Sequence, residues 1–172
     1  SILSHVGADV SLYDAAWQRY QHHYQAINGE FAPLYPGAAE GVARLKAAGL
    51  KLACVTNKPL AFAQTLLTKK GLLRAFDVVF GGDSFERKKP DPLPLLRACE
   101  ALGSRPSRTV AIGDSSNDAA AARAAGCALV LVRYGYNHGQ PLPAADAVVD
   151  RLDAIDLAAL RSLTCSDPAS PL

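Results

Sequence analysis

Residues 109–118 read Thr-Val-Ala-Ile-Gly-Asp-Ser-Ser-Asn-Asp, and no other stretch restricts the fold of this chain so tightly. Thr109–Ile112 are largely β-branched and apolar, as a buried strand requires. Gly113 breaks that strand, and Asp114 and Asp118 follow within one tight turn before an alanine-rich helix. Two carboxylates at the carboxyl end of a buried strand are costly to hold as anions unless something positive lies between them. A divalent cation is one answer, and hard oxygen ligands select magnesium or calcium over zinc. The other is that Asp118 caps the following helix, a common task for Asp. Both readings stand at this point.

The rest of the chain alternates in the same manner. Ala38–Ala48 carries Val42 and Leu45 on one helical face and ends at Gly49. Leu50–Thr56 reads as a buried strand, with Lys51 reaching outward at its start. Pro59 opens a helix that Gly71 closes. Asp77–Phe80, Thr109–Ile112, Ala128–Val132 and Ala147–Val149 read as further strands, and Leu93–Leu102, Ala119–Ala125 and Leu152–Leu160 as helices. Such alternation predicts an α/β fold, an open parallel sheet with helices on both faces. Upstream, Leu12–Ile27 carries an aromatic stripe at helical spacing, read as core. The adjacent His22 and His23 face different directions and are read as surface residues. The Ser- and Pro-containing stretch 164–172 reads as a flexible tail.

Composition narrows the function. The 172 residues carry 18 Lys and Arg against 16 Asp and Glu, a net charge of +2. That balance leaves no electrostatic footprint for nucleic acid. No apolar stretch approaches a membrane span, and no Gly-x-Gly-x-x-Gly or Walker loop supports a nucleotide cofactor. Cys54, Cys99, Cys127 and Cys165 stand far apart, as reduced packing residues of a cytoplasmic protein would. Oligomeric state is not legible.

In an open parallel sheet, ligands bind outside the carboxyl ends of the strands, and three strand ends here suit one task. After Val55 come Thr56 and Asn57, a hydroxyl and an amide with backbone N–H groups beside a helix start, able to hold a phosphate. An ordinary helix cap before Pro59 is the simpler alternative. After Phe80 comes a loop holding Lys88-Lys89-Pro90-Asp91-Pro92. A lysine before proline sits on a segment biased to extended geometry, so Lys89 is the better-placed cation and Lys88 a solvated charge. The third strand end carries Asp114 and Asp118.

Val55-Thr56-Asn57-Lys58-Pro59, Lys88-Lys89-Pro90-Asp91-Pro92 and Gly113-Asp114-Ser115-Ser116-Asn117-Asp118 resemble the second, third and fourth motifs of the haloacid dehalogenase-like hydrolases. The likeness is greatest to their phosphoglycolate phosphatase branch. Tyr35-Pro36-Gly37, Gly81-Gly82-Asp83, Ala124-Ala125-Gly126-Cys127 and Tyr134-Gly135-Tyr136-Asn137 agree with it. The resemblance implies a Rossmann-like core over 31–163, a remnant of a helical cap over 1–30, and hydrolysis of a small phosphorylated metabolite through an aspartyl-phosphate and Mg²⁺. It implies that Thr56 binds the transferring phosphoryl group, helped by the Asn57 backbone, and that Lys89 balances charge. By the same likeness Asp114 ligates Mg²⁺, and Asp118 binds the metal through water or orients Lys89 and the loop.

The chain departs from the family in one place. The nucleophile is expected on an N-terminal strand reading roughly Asp-x-Asp-Gly-Thr, yet before Tyr35 the only aspartates are Asp9 and Asp14. In the family that strand lies between those ending at Thr56 and Gly113. Its loss predicts unpaired backbone on both neighbours, an unstable monomer, and no activity for this chain alone. The expectation is therefore a later part of a longer enzyme. The alternative is a catalytically inactive phosphate- or metal-binding homologue. A receiver-like signalling domain fits worse, because its acidic pair should come early in the chain.

Overall fold

A computed structural model describes residues 33–134 and 142–164. The Leu12–Ile27 helix, His22, His23, Asp9, Asp14, Cys165, the tail from 165 on and the segment 135–141 lie outside the described residues. Contacts divide the chain after Pro33, and the description concerns the unit that begins at Leu34.

The elements follow the expected order: α1 (Ala38–Ala47), β1 (Ala53–Val55), α2 (Leu60–Lys69), β2 (Val78–Phe80), α3 (Leu93–Leu102), β3 (Val110–Gly113), α4 (Ser116–Ala125), β4 (Ala128–Val132), β5 (Ala147–Val149) and α5 (Leu157–Ser162). All strand pairs are parallel. Gly37, at the N-cap of α1, has φ +80°, a conformation that only glycine adopts without strain. A Cβ at Gly37 would also collide with the Asp153 carboxylate.

Strand β4 shows why the sequence alternates as it does. Leu129 and Leu131 are fully buried against Cys99 of α3 and Ala119, Ala122 and Ala125 of α4. Val130 points the other way, packing with Leu45 of α1, Ile155 and Leu160 of α5. A strand buried on both faces has no polar side, and the alanines let α4 approach the sheet closely. Truncating Leu129 or Leu131 to Ala costs about 2–5 kcal/mol.

Several boundaries differ from expectation. Gly113 does not break its strand: β3 runs Val110–Gly113, with Gly113 paired to Leu131. Strand β1 has only three ladder residues, not the seven of Leu50–Thr56. The Leu52 N–H goes to the Asp77 carboxylate at 2.7 Å, which ends the ladder there. Helix α4 starts at Ser116, earlier than Ala119, because Ser115 caps it. Residues 152–160 form two pieces, a 3₁₀ turn at Leu152–Ala154 and then α5. Ile155 turns into the core, and Asp156 restarts the helix by accepting from Ala158 N–H at 2.9 Å. Lys51 does reach outward, and its Nζ donates to the Leu102 carbonyl at the end of α3, 2.7 Å away.

The strands form two sheets, β1–β2 and β3–β4–β5. Among the described residues β1 pairs only with β2, and β3 only with β4. Between their free edges lies a cavity of about 340 Å³, lined by Ala53, Cys54 and Val55 on one side and Val110, Ala111 and Ile112 on the other. This is the gap expected between the strands ending at Thr56 and Gly113. Its walls are mostly apolar side chains, with Lys89 and Asp118 at the lining as well, and among the described residues no strand pairs with these edges.

Candidate active site

Lys89 joins two of the three strand ends. Its Nζ donates to the Val55 carbonyl at the end of β1 (2.7 Å) and to Asp118 Oδ1 in the first turn of α4 (2.7 Å). Its own carbonyl accepts from Asn57 Nδ2 at 2.8 Å. The Lys89–Pro90 peptide is cis. Lys88, by contrast, is exposed, as the sequence reading held.

Asp118 is the organiser of the third strand end. Its Oδ2 accepts from Ser115 Oγ (2.6 Å), Ser115 N–H (3.2 Å) and Asp114 N–H (3.2 Å), and Ser115 Oγ accepts in return from Asp118 N–H (3.3 Å). This reciprocal pair is a capping box. Ser115, not Asp118, is therefore the N-cap, and Asp118 serves as the third helical residue of the box while its other oxygen holds Lys89. Gly113 permits the approach, since a Cβ there would collide with the Asp118 side chain.

The electrostatics divide the acidic pair. Burial and the Asp118 charge raise the Asp114 carboxyl above its ordinary value. Burial would raise Asp118 too, but the Lys89 ammonium and the hydrogen bonds from Lys89 and Ser115 outweigh it and hold Asp118 low. Asp118 is thus a compensated anion with both oxygens engaged, and Asp114 is the carboxylate whose charge is unbalanced. A hard divalent cation suits Asp114 in that setting. Among the described residues no three His, Cys, Asp or Glu side chains gather into a metal cluster.

The first strand end differs in part from expectation. The Leu60 N–H at the start of α2 is taken by Asp83 Oδ1 at 2.8 Å, and Thr56 N–H by the Phe80 carbonyl at 3.0 Å. Those two donors are committed to the fold. The Thr56 hydroxyl accepts from Lys58 N–H at 3.1 Å, which leaves its own proton to donate. Gly82 packs so closely that a Cβ would strike the Asn57 carbonyl, and its N–H donates to the Lys58 carbonyl at 2.8 Å. The Gly81-Gly82-Asp83 segment is therefore the mount of the Thr56–Asn57 turn.

Asn57, Lys89, Asp118 and Asp114 thus lie along one chain of hydrogen bonds, and Thr56 sits beside it, between Val55 and Asn57 in the chain. Sequence reasoning passed over Ser115 and Asp83. The Ser-x-x-Asp spacing of Ser115 and Asp118 is a readable cap signal, whereas the contact from Asp83 to Leu60 has no local signature. A further wall comes from Tyr35 and Tyr134, whose rings stack 4.4 Å apart at 12°. Burial and the Asp114 charge push the Tyr134 phenol up.

Parallel strands carrying polar groups at their carboxyl ends define an α/β core with a candidate site at one rim. The sequence profile of the haloacid dehalogenase-like hydrolases matches residues 5–126, and the chain belongs to that family. It is 44% identical over 147 residues to a phosphoglycolate phosphatase of Thiobacillus denitrificans, covering 86% of this chain and 63% of that one. It is 46% identical over 138 residues to a plasmid phosphoglycolate phosphatase of Cupriavidus necator, covering 79% and 60%. The chain thus spans less than two thirds of the length of these relatives. Among solved structures, a predicted phosphoglycolate phosphatase from Haemophilus somnus superposes with TM-score 0.80 at 34% identity, covering 85% of this chain and 66% of that one. CbbY from Rhodobacter sphaeroides, solved in complex with phosphate, gives 0.77 at 30% identity, covering 89% and 70%.

Proposed function

We propose that this chain supplies the phosphate- and metal-handling part of a Mg²⁺-dependent phosphate monoester hydrolase. Its substrates are small organic phosphates, 2-phosphoglycolate foremost, and its nucleophilic aspartate is not among the described residues. The observation that carries this reading is the Lys89 bridge from Val55 to Asp118. It ties the strand end that precedes Thr56 and Asn57 to the turn that carries the acidic pair. The names of the relatives support the substrate.

In this reading the Thr56 hydroxyl donates to a phosphoryl oxygen, and the Asn57 N–H lies alongside. Lys89 neutralises charge between the phosphate and an attacking carboxylate. Asp114 would hold Mg²⁺, which when bound neutralises phosphoryl oxygen charge. Asp118 keeps Lys89 and the Asp114 turn in register. Phosphoryl transfer asks for positioning and charge balance above all, and these residues supply both. The slot between β1 and β3 is where a strand bearing the nucleophile fits, its end beside Lys89. A cytoplasmic setting belongs to the same proposal.

The test is release of inorganic phosphate from 2-phosphoglycolate, with and without Mg²⁺. It is run on this chain and on the chain joined to whatever reading frame precedes Ser1. Mg²⁺-dependent turnover by the joined protein is the expected result. A folded, joined protein that binds phosphate but releases none from any small phosphate ester would instead establish an inactive binding homologue.

A further inference from the structure

We propose that Asn57 is a positioning residue that acts on Lys89 through its side-chain amide, a role distinct from any contact its backbone makes with phosphate. Two contacts tie Lys89 to the end of β1, and they fall on either side of Thr56. The Lys89 ammonium is held by the Val55 carbonyl, and the Lys89 carbonyl by Asn57 Nδ2. Lysine is a flexible side chain that binds as a point charge. A charge of that kind is useful at a defined place only if both its head and its backbone are held. Asp118 and Val55 hold the head, and Asn57 holds the backbone.

The other half of the amide supports this assignment. Asn57 Oδ1 is buried and has no hydrogen-bond partner among the described residues. A buried, unpaired acceptor is destabilising, and turning the amide over would set Oδ1 against the Lys89 carbonyl, two acceptors face to face. The orientation is therefore dictated by Lys89, and an apolar residue would avoid the orphan oxygen at the cost of the tie. The Asn57 backbone is itself clamped, because Gly82 packs on its carbonyl and donates to the next one. Asn57 is a fixed point from which Lys89 is aimed.

The first test needs no turnover. Limited acylation of the folded chain, read lysine by lysine by peptide mass spectrometry, should label exposed Lys88 faster than Lys89. Asn57→Ala should raise the Lys89 rate about 2- to 10-fold, the equivalent of one hydrogen bond, and leave Lys88 unchanged. An unchanged Lys89 rate in the folded variant overturns the proposal. If Asn57→Ala melts too early to be measured, Asn57→Ser, too short to reach the Lys89 carbonyl, is read in the same way. The second test rests on the phosphatase reading. In the joined, active protein Asn57→Ala should lower kcat more than it raises KM, and cost nothing further on a Lys89→Ala background. Additive losses would show that Asn57 works independently of Lys89. Lack of turnover in every protein would remove the phosphatase reading while the labelling result still decides the role of Asn57.

Discussion

Lys89 and Asp118 are 29 residues apart in sequence, yet Nζ and Oδ1 are 2.7 Å apart, with the two side chains only 13% and 14% exposed. The pair links the loop after β2 to the turn after β3. Each partner is further satisfied, Lys89 by Val55 and Asp118 by Ser115 and Asp114 N–H. Such pairs contribute little over an apolar replacement but are costly to break on one side.

Lys89→Ala should therefore destabilise the chain by about 2–4 kcal/mol, because it strands the Asp118 carboxylate. Lys88→Ala, at an exposed position, should change stability by less than about 0.5 kcal/mol. Urea unfolding of the two variants decides the matter. Equal effects would mean that the pair does not hold the site.

The same pair sets a pH dependence. Asp118 is held below its ordinary value in the folded chain, so its contribution is fully present above about pH 4, the unfolded carboxylate value. It is lost as pH falls further and the carboxyl takes up a proton. The difference in melting temperature between the parent chain and Asp118→Asn should accordingly be large near neutrality and shrink as pH falls below 4. A constant difference across that range would argue against the ion pair.

Asp114 works in the opposite sense. Its carboxyl is raised by burial and by Asp118, so its ionisation at neutral pH weakens the metal-free fold. Asp114→Asn should raise the melting temperature in the presence of a chelator. It should also abolish any increase that Mg²⁺ gives the parent chain, and turnover in the active protein. Thermal melts with Mg²⁺ and with EDTA measure both effects. Stabilisation of Asp114→Asn by Mg²⁺ equal to that of the parent would end the metal assignment.

Gly113→Ala should damage the site without touching a charge. The added Cβ meets the Asp118 side chain where no space exists, and relief requires the Asp118 side chain, which holds Lys89, to shift. Overpacking of this kind costs about 1–3 kcal/mol. The diagnostic readout is again acylation of Lys89, which should quicken alongside the loss of stability. A variant with normal Lys89 protection would show that the turn absorbs the methyl.

Cys99 and Cys127 should be inert in the folded chain. Burial and the neighbouring Cys99 push the Cys127 thiol up to about 12, and both residues are buried. Reaction with iodoacetamide at pH 8 should therefore follow unfolding. Labelling of either at the rate of a free thiol would contradict the packing of β4 against α3 and α4.

The sequence by itself determined the order of strands and helices. That information is local: β-branched runs, helical spacing, and glycines where the chain must turn, as at Gly37 and Gly126. It also determined which residues stand at the strand ends, because a polar group next to a buried strand is conspicuous. The absence of an Asp-x-Asp ahead of Tyr35 pointed to a strand missing between β1 and β3, and among the described residues none pairs there. Only the tertiary structure decided what each polar group does. Asp118 is both capping-box partner and counter-ion, the start of α2 is closed by Asp83, and the Asn57 amide faces the Lys89 carbonyl. Each of these rests on a hydrogen bond whose partner lies 23 to 32 residues away. Propensity and periodicity act over a few residues, so they cannot specify such partners. The strand ends shorten and the last helix breaks for the same reason, as Leu52, Ile155 and Asp156 answer to distant packing and hydrogen bonding.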